Sequence, residues 1–406
     1  MTTPLPAPIR HPLPRTVIAL GWVSLLTDAA SDMIYPLVPA FLLSLGGGAE
    51  ALGWLEGIAE LIAAAFKLGS GRISDRWKRR KPLIALGYGI SSLARPFYAI
   101  AMSPLHAVLI RAGDRVGKGL RGPARDAMVA DAVPAADRGH AFGFHRMMDN
   151  FGGVLGPILA FLLLRAFDLP LRTVFAASIV PGLASVLVIL IFVKERPLRA
   201  VPGTAPPAAP TDTVSESKVP LPPAARRYLI VLGLFSLAGS GDLFLLNRIS
   251  DLGLDKSLIP LAWISLQLGK GLLNVAGGRA SDRYGRKRVL ALSWLLYAIT
   301  YAGFGLVHSW QLAWVMLGLY AVHYGLAEGG QKALLAEYVP AASRGRAFGT
   351  QLAIEGAAVL PANVLFGLAY ARISPLAAFV GAGVIALAAT IALAWVPSPP
   401  PKGSAG

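Results

Sequence analysis

The sequence predicts an all-α integral membrane protein with twelve transmembrane helices in two pseudo-symmetric six-helix bundles, both termini cytoplasmic. Three observations predict it. Of 406 residues, 55% are hydrophobic and only 15% charged, where soluble domains carry about 25% charged residues. Apolar runs of about 20 residues, enough to cross ~30 Å of hydrocarbon, recur along the whole chain. And part of the first half returns in the second: "DAMVADAVPAADRGHAFG", Asp126 to Gly143, matches "KALLAEYVPAASRGRAFG", Lys332 to Gly349, at a constant offset of 206.

In chain order, a Pro-rich lead over 1–15 is a cytoplasmic tail. It carries no cleavage-site pattern, so the first apolar run is expected to stay as a span. The six runs of the first bundle, 16–193, lie near 16–44, 52–72, 82–102, 105–131, 141–165 and 173–193. Residues 194–227, rich in Pro, Ala and Ser and without apolar period, form a flexible cytoplasmic linker. The second bundle, 228–396, has runs near 228–250, 259–279, 288–307, 311–337, 347–371 and 375–396, and a tail over 397–406 follows.

Charge sets the orientation. Lys and Arg crowd alternate loops: Arg10 and Arg15, six cations over 72–81, Arg138, Lys194, and later Arg279, Arg283, Arg286, Lys287, Arg288, Arg344 and Arg346. The opposite loops offer little beyond Arg165, Arg172, Lys256 and Arg372. That bias puts both termini inside. The net charge of +16 is therefore topological, spread over short tracts, and no nucleic-acid groove is expected. With no cysteine there is no disulfide or thiol chemistry. No P-loop, metal motif or cofactor motif is present, so neither metal nor cofactor is expected and energy must come from a gradient.

A charged hinge is written twice, as "GSGRISDRWKRRK" from Gly69 and "GGRASDRYGRKR" from Gly277. The pattern G-x-x-x-D-R-x-G-[RK]-[RK] after the second and eighth spans resembles the major facilitator superfamily of secondary transporters, with motifs nearest its drug/proton antiporters. The second copy fits at Gly278, Asp282, Arg283, Gly285, Arg286 and Lys287. The first fits at Gly71, Asp75, Arg76, Arg79 and Arg80, with Lys78 where the family usually has glycine. In the family such hinges latch the two halves on the cytoplasmic side. That role is implied for Gly71, Asp75, Arg76, Arg79, Gly278, Asp282, Arg283 and Arg286, and the competing reading is a basic loop that only sets topology. Gly143, Gly152, Gly156 and Pro157 in span 5 resemble the family's antiporter signature, although Ala160 replaces its last glycine. Physically, these residues allow close helix contact and a kink.

Charges inside the spans are expensive and mark function by default. Span 4 holds Arg111, Asp114, Arg115, Lys118, Arg121, Arg125 and Asp126. Arg115 followed by Gly119 resembles the family motif whose arginine is linked to proton transfer. Span 1 offers Asp28 and Asp32, one helical turn apart before Tyr35, and span 2 offers Glu56 and Glu60. Asp28, Asp32, Glu60 and Arg115 are the proton-coupling candidates. Tyr35, Arg95, Arg111, Lys118, His145, Arg146, Asp149, Asp242, His323 and Glu328 are the candidates for a substrate cavity between the halves. The alternative is a set of static ion pairs holding the first half together. With charge concentrated there, coupling chemistry is expected in the first half and more apolar contact from the second.

These observations lead to a proton-coupled exporter of a small organic solute working by alternating access. A symporter or exchanger for an organic anion or phosphorylated metabolite is the alternative, and an integral membrane enzyme a remote one. Its partners would be the solute, protons and lipid. A monomer in a bacterial inner membrane is expected.

Overall fold

The computed structural model describes residues 12–77, 80–134, 137–195, 221–327, 330–340 and 343–398, and every regular element among them is helical. Nine of the helical stretches among these residues are long and apolar enough to cross a membrane, so this is a multi-pass membrane protein. The tail over 1–11, the linker over 196–220 and the residues after 398 lie outside the described set.

The first apolar run is not one helix. α1 (Arg15–Asp32) gives way to a 3-10 turn at Tyr35–Leu37 and then α2 (Val38–Ser44), with Pro36 and Pro39 at the interruption. Proline has no N–H to donate and its ring displaces the carbonyl four residues back. α3 (Ala49–Trp77) and α5 (Pro104–Ala132) run 29 residues each, and α4 (Lys81–Ala94) between them ends in a 3-10 turn, Arg95–Ile100. α6 (Arg138–Arg165) carries Pro157 internally, and the sixth run divides into α7 (Leu171–Ala177) and α8 (Ile179–Phe192) ahead of Pro181.

The second half opens with α9 (Pro223–Ala238) and α10 (Leu243–Asp251), separated by Gly239–Asp242. Backbone groups freed at depth in a membrane need partners. Here the Tyr297 hydroxyl donates to the Ala238 carbonyl at 2.7 Å, and the Gly241 N–H donates to Asn363 Oδ1 at 2.8 Å. Asp255 organises the turn before α11: the N–H and hydroxyl of Ser257 both donate to it, which holds its carboxyl below the usual carboxylate range. α11 (Ile259–Tyr284) stops at Gly285, whose φ of +93° favours glycine, and α12 (Arg286–Leu306) follows directly. α13 (Trp310–Ala327), α14 (Gly330–Tyr338), α15 (Arg344–Arg372) and α16 (Pro375–Ala394) complete the chain.

Helices α1–α8 pack chiefly on one another, as do α9–α16, and the main contacts between the two sets are α3 on α15, α6 on α11 and α2 on α10. Large apolar side chains such as Leu187, Leu190 and Ile191 on α8, and Val384 and Ile391 on α16, remain exposed on the outside, as a surface facing lipid tails requires.

Small residues bring backbones together where the site is built. A Cβ at Gly152 would collide with the Leu25 carbonyl, and one at Gly156 with the Ala29 carbonyl, so α6 lies directly on α1. Gly143 meets nothing. Gly156→Leu should therefore push α1 and α6 apart and cost about 1–3 kcal/mol, whereas Gly143→Leu should cost little. Thermal unfolding of the two purified variants compares them.

Candidate functional site

A cavity of about 1210 Å³ lies between the two halves. Its sealed end is built by cross-half contacts. Tyr35 packs edge-on against Trp263 with ring centroids 5.0 Å apart, Arg372 clasps Glu50 at 3.0 Å, and Gly53 on α3 abuts the backbone of Asn363 on α15. From there the cavity extends to Lys67, Arg125 and Asp126. Gly367 lies against the Ala49 carbonyl in the same seam. Gly367→Val should open this end, raising labelling of a cysteine introduced at Asn363 several-fold. The chain has no cysteine of its own, so the readout has no background.

The first half supplies most of the charge. Asp28 and Asp32 of α1 line the cavity and neither accepts a hydrogen bond nor forms an ion pair among the described residues. The Asp32 carboxylate lies against Gly153 of α6, whose missing side chain makes the space, and Gln267 of the other half approaches the same point. Glu60 faces Arg115 at 3.5 Å. Lys118, exposed in the cavity, has no carboxylate within ion-pair distance among the described residues. Tyr35, Arg146 and Asp149 also line the wall.

Arg95, Arg111, His145 and His323 do not. They sit behind the wall, each buried. Arg95 holds Asp114 at 2.9 Å and donates to the Thr27 carbonyl; Arg111 binds Glu56 at 3.2 Å, reaches Asp114 at 3.9 Å and stacks over Tyr35 at 4.4 Å. Tyr35 in turn donates to Glu56 at 2.8 Å. Two arginines and two carboxylates thus form one closed network. His145 faces Asp149 at 3.4 Å, and His323 bonds Ser293. Spacing along α5 puts Arg111 near the face of Arg115 and Lys118, but a carboxylate on α3 draws it inward. Glu328 lies outside the described residues.

Among the described residues the second half puts one charged side chain on the wall. Asp242, at the break between α9 and α10, lies on the cavity wall and holds Lys270 of α11 at 2.5 Å. The Tyr320 hydroxyl donates to its other oxygen at 2.8 Å, and the Lys270 ammonium sits over the Tyr324 ring at 4.2 Å. Trp263, Gln267 and Gly241 complete this wall. The interruption "GSGD" between two apolar runs was the available signal for Gly241; nothing local singled out Gln267. In total, seven carboxylates and six cations line the cavity, so it is balanced in sign and not predominantly basic.

The sequence over 20–264 and 243–406 matches the model of the Major Facilitator Superfamily. The chain belongs to that superfamily. An uncharacterised transporter of the superfamily from Methanocaldococcus jannaschii is 28% identical over 390 residues, covering 95% of each chain. The multi-drug resistance efflux pump PmrA of Streptococcus pneumoniae is 26% identical over 346 residues, covering 82% of this chain and 83% of the pump. Among solved structures, a D-xylose–proton symporter superposes with a TM-score of 0.70 at 18% identity, over 95% of this chain and 97% of the symporter. At that identity the likeness is one of fold.

The hinges of this superfamily member are described in part. Gly71, Asp75 and Arg76 belong to α3, but their side chains, that of Asp282, and all of Arg79 lie outside the described residues. Gly278 has open space around it, Arg283 stacks on Tyr284 at 5.4 Å, and Arg286 binds Glu337 at 3.1 Å and the Ala333 carbonyl within its own half. No group of three or more histidine and carboxylate side chains that would hold a metal gathers among the described residues.

Proposed function

We propose that this transporter exports a small organic solute in exchange for protons, by alternating access around the cavity between its halves. The observation that carries the reading is Asp32: a carboxylate without a counter-ion among the described residues, at the meeting point of α1, α6 and Gln267 from the other half. An ion pair must be broken before its acid takes a proton, and a lone carboxylate avoids that cost. Asp28, one turn earlier and also unpaired among the described residues, shares the proton. Glu60 with Arg115 answers to the change in charge. The relation to an efflux pump favours export.

In this reading the chain makes twelve spans in two bundles, 16–193 and 228–396, with the basic loops, the linker and both tails in the cytoplasm of a bacterial cell and the protein a monomer in the inner membrane. The sealed end at Glu50 and Arg372 then faces outward, and the cavity end at Lys67 and Asp126 faces the cytoplasm. The hinges latch that side once the halves rock over.

Lys118 and Lys270 favour a second reading in which the same cavity carries an organic anion together with protons. Reconstituted vesicles with an imposed pH gradient separate the two. Under exchange, solute moves against the direction of the proton gradient, and adding it on the cytoplasmic face collapses the gradient. Under symport both move the same way. Flux indifferent to the gradient rejects both.

A further inference from the structure

The second-half wall contains a group that the proposed exchange does not use. Lys270 is buried, with its side chain 9% exposed, yet it stands directly behind two cavity-lining residues, Asp242 and Tyr324. An ammonium carries three N–H donors. Among the described residues its only acceptor is Asp242, at 2.5 Å, and the faces of Tyr324 at 4.2 Å and Tyr320 at 5.3 Å lie against it. Aromatic faces stabilise a cation without consuming its donors. Two N–H groups are left without an oxygen, at a point where the partner carboxylate is 21% exposed and belongs to a non-helical break.

A pair serving only to hold α10 against α11 would be expected to bury both partners and use the ammonium fully. The arrangement here has spare donors beside a cavity, and Asp242 keeps the Tyr320 hydroxyl on its other oxygen when the ammonium turns to a second acceptor. We propose that Lys270 is the docking point for a carboxylate on the carried solute, in a subsite completed by Tyr324, Tyr320 and Asp242. This inference rests on the transport reading above and names its substrate class.

The charge count selects a monoanion. One ammonium already shares a carboxylate, so a phosphate dianion would leave the subsite with two excess negative charges in a poorly solvated place. The rest of the wall selects the body of the solute: Trp263, two turns before Lys270 on the same helix, and Leu268 and Leu272 of that helix line the same cavity. An apolar or aromatic body with one carboxylate fits this chemistry.

Three probes on one body test it: 3-phenylpropionate, 3-phenylpropan-1-ol and 3-phenylpropylamine, each titrated into the detergent-purified full-length protein while its thermal unfolding is followed. A ligand of the folded state raises the midpoint by mass action. The acid is expected to give a saturable rise that the alcohol and the amine do not. Lys270→Gln should weaken the acid's apparent affinity by about tenfold or more, the loss expected for a charge-assisted hydrogen bond, and Lys270→Arg should retain most of it. If Lys270→Gln does not fold, the neutral pair Asp242→Asn with Lys270→Gln replaces it, and the same loss is expected. No rise with the acid, an equal rise with the alcohol, or a rise untouched by removing the charge overturns the subsite. Vesicle flux is read separately. Acid-selective binding without gradient-driven flux rejects the export reading and leaves the subsite standing; flux without such binding does the reverse.

Discussion

Asp32→Asn is expected to abolish gradient-driven transport, by about 100-fold or more, the usual scale for losing a proton-transferring side chain, while leaving the protein folded. The amide has the shape of the acid but takes no proton, and among the described residues Asp32 has no ion pair whose loss would disturb the fold. Solute–solute exchange across the membrane, which needs the halves to move but no net proton, should survive. Glu60→Gln should act differently, because it frees Arg115 in a cavity otherwise balanced in charge. Its larger effect is expected on solute binding. Parallel measurement of uphill flux and counterflow in vesicles checks both variants. If Asp32→Asn still drives uphill flux at the native rate, the assignment of the coupling acid to Asp32 is wrong.

Asp114→Ala is expected to destabilise the protein by about 3–5 kcal/mol, the cost of leaving a buried charge without its partner. The carboxylate sits between Arg95 at 2.9 Å and Arg111 at 3.9 Å, all three buried, and only Glu56 would remain to balance two guanidinium groups. The double change Arg95→Met with Asp114→Leu removes charge and counter-charge together and should recover most of the loss. Unfolding in mixed detergent micelles measures the single and the double variant. Equal damage from both would mean that Arg95 matters chiefly through its bond to the Thr27 carbonyl. The network also touches the sealed end, since Glu56 accepts from Tyr35 and lies against Gly241 of the other half. Loss of Arg111 should therefore loosen the seam as well as the bundle.

Helical, membrane-embedded character was legible in the sequence because the spacing of apolar runs reports the solvent each segment meets. That span 5 can pack closely on a neighbour at Gly152 and Gly156 was legible for a similar reason: two small residues four apart share a face; that the neighbour is α1 came from the packing. The breaks inside runs were less so. Pro36 and Pro181 announce theirs, but the interruption at Gly239–Asp242 is useful only because Tyr297 and Asn363 supply its partners, and both are distant in sequence.

The charged residues divide the same way. By itself the sequence determined which residue types enter the membrane and on which stretch of helix, since helical spacing and the cost of burying charge are local matters. Only the tertiary structure decided that Arg95 and Arg111 are locked behind the wall while Lys118 and Asp32 stand in the cavity unpaired among the described residues, and that Lys270 lies beside Asp242. Whether a charge is spent on structure or left for function depends on what an adjacent helix places within about 4 Å of it, and that distance is set by how the helices pack.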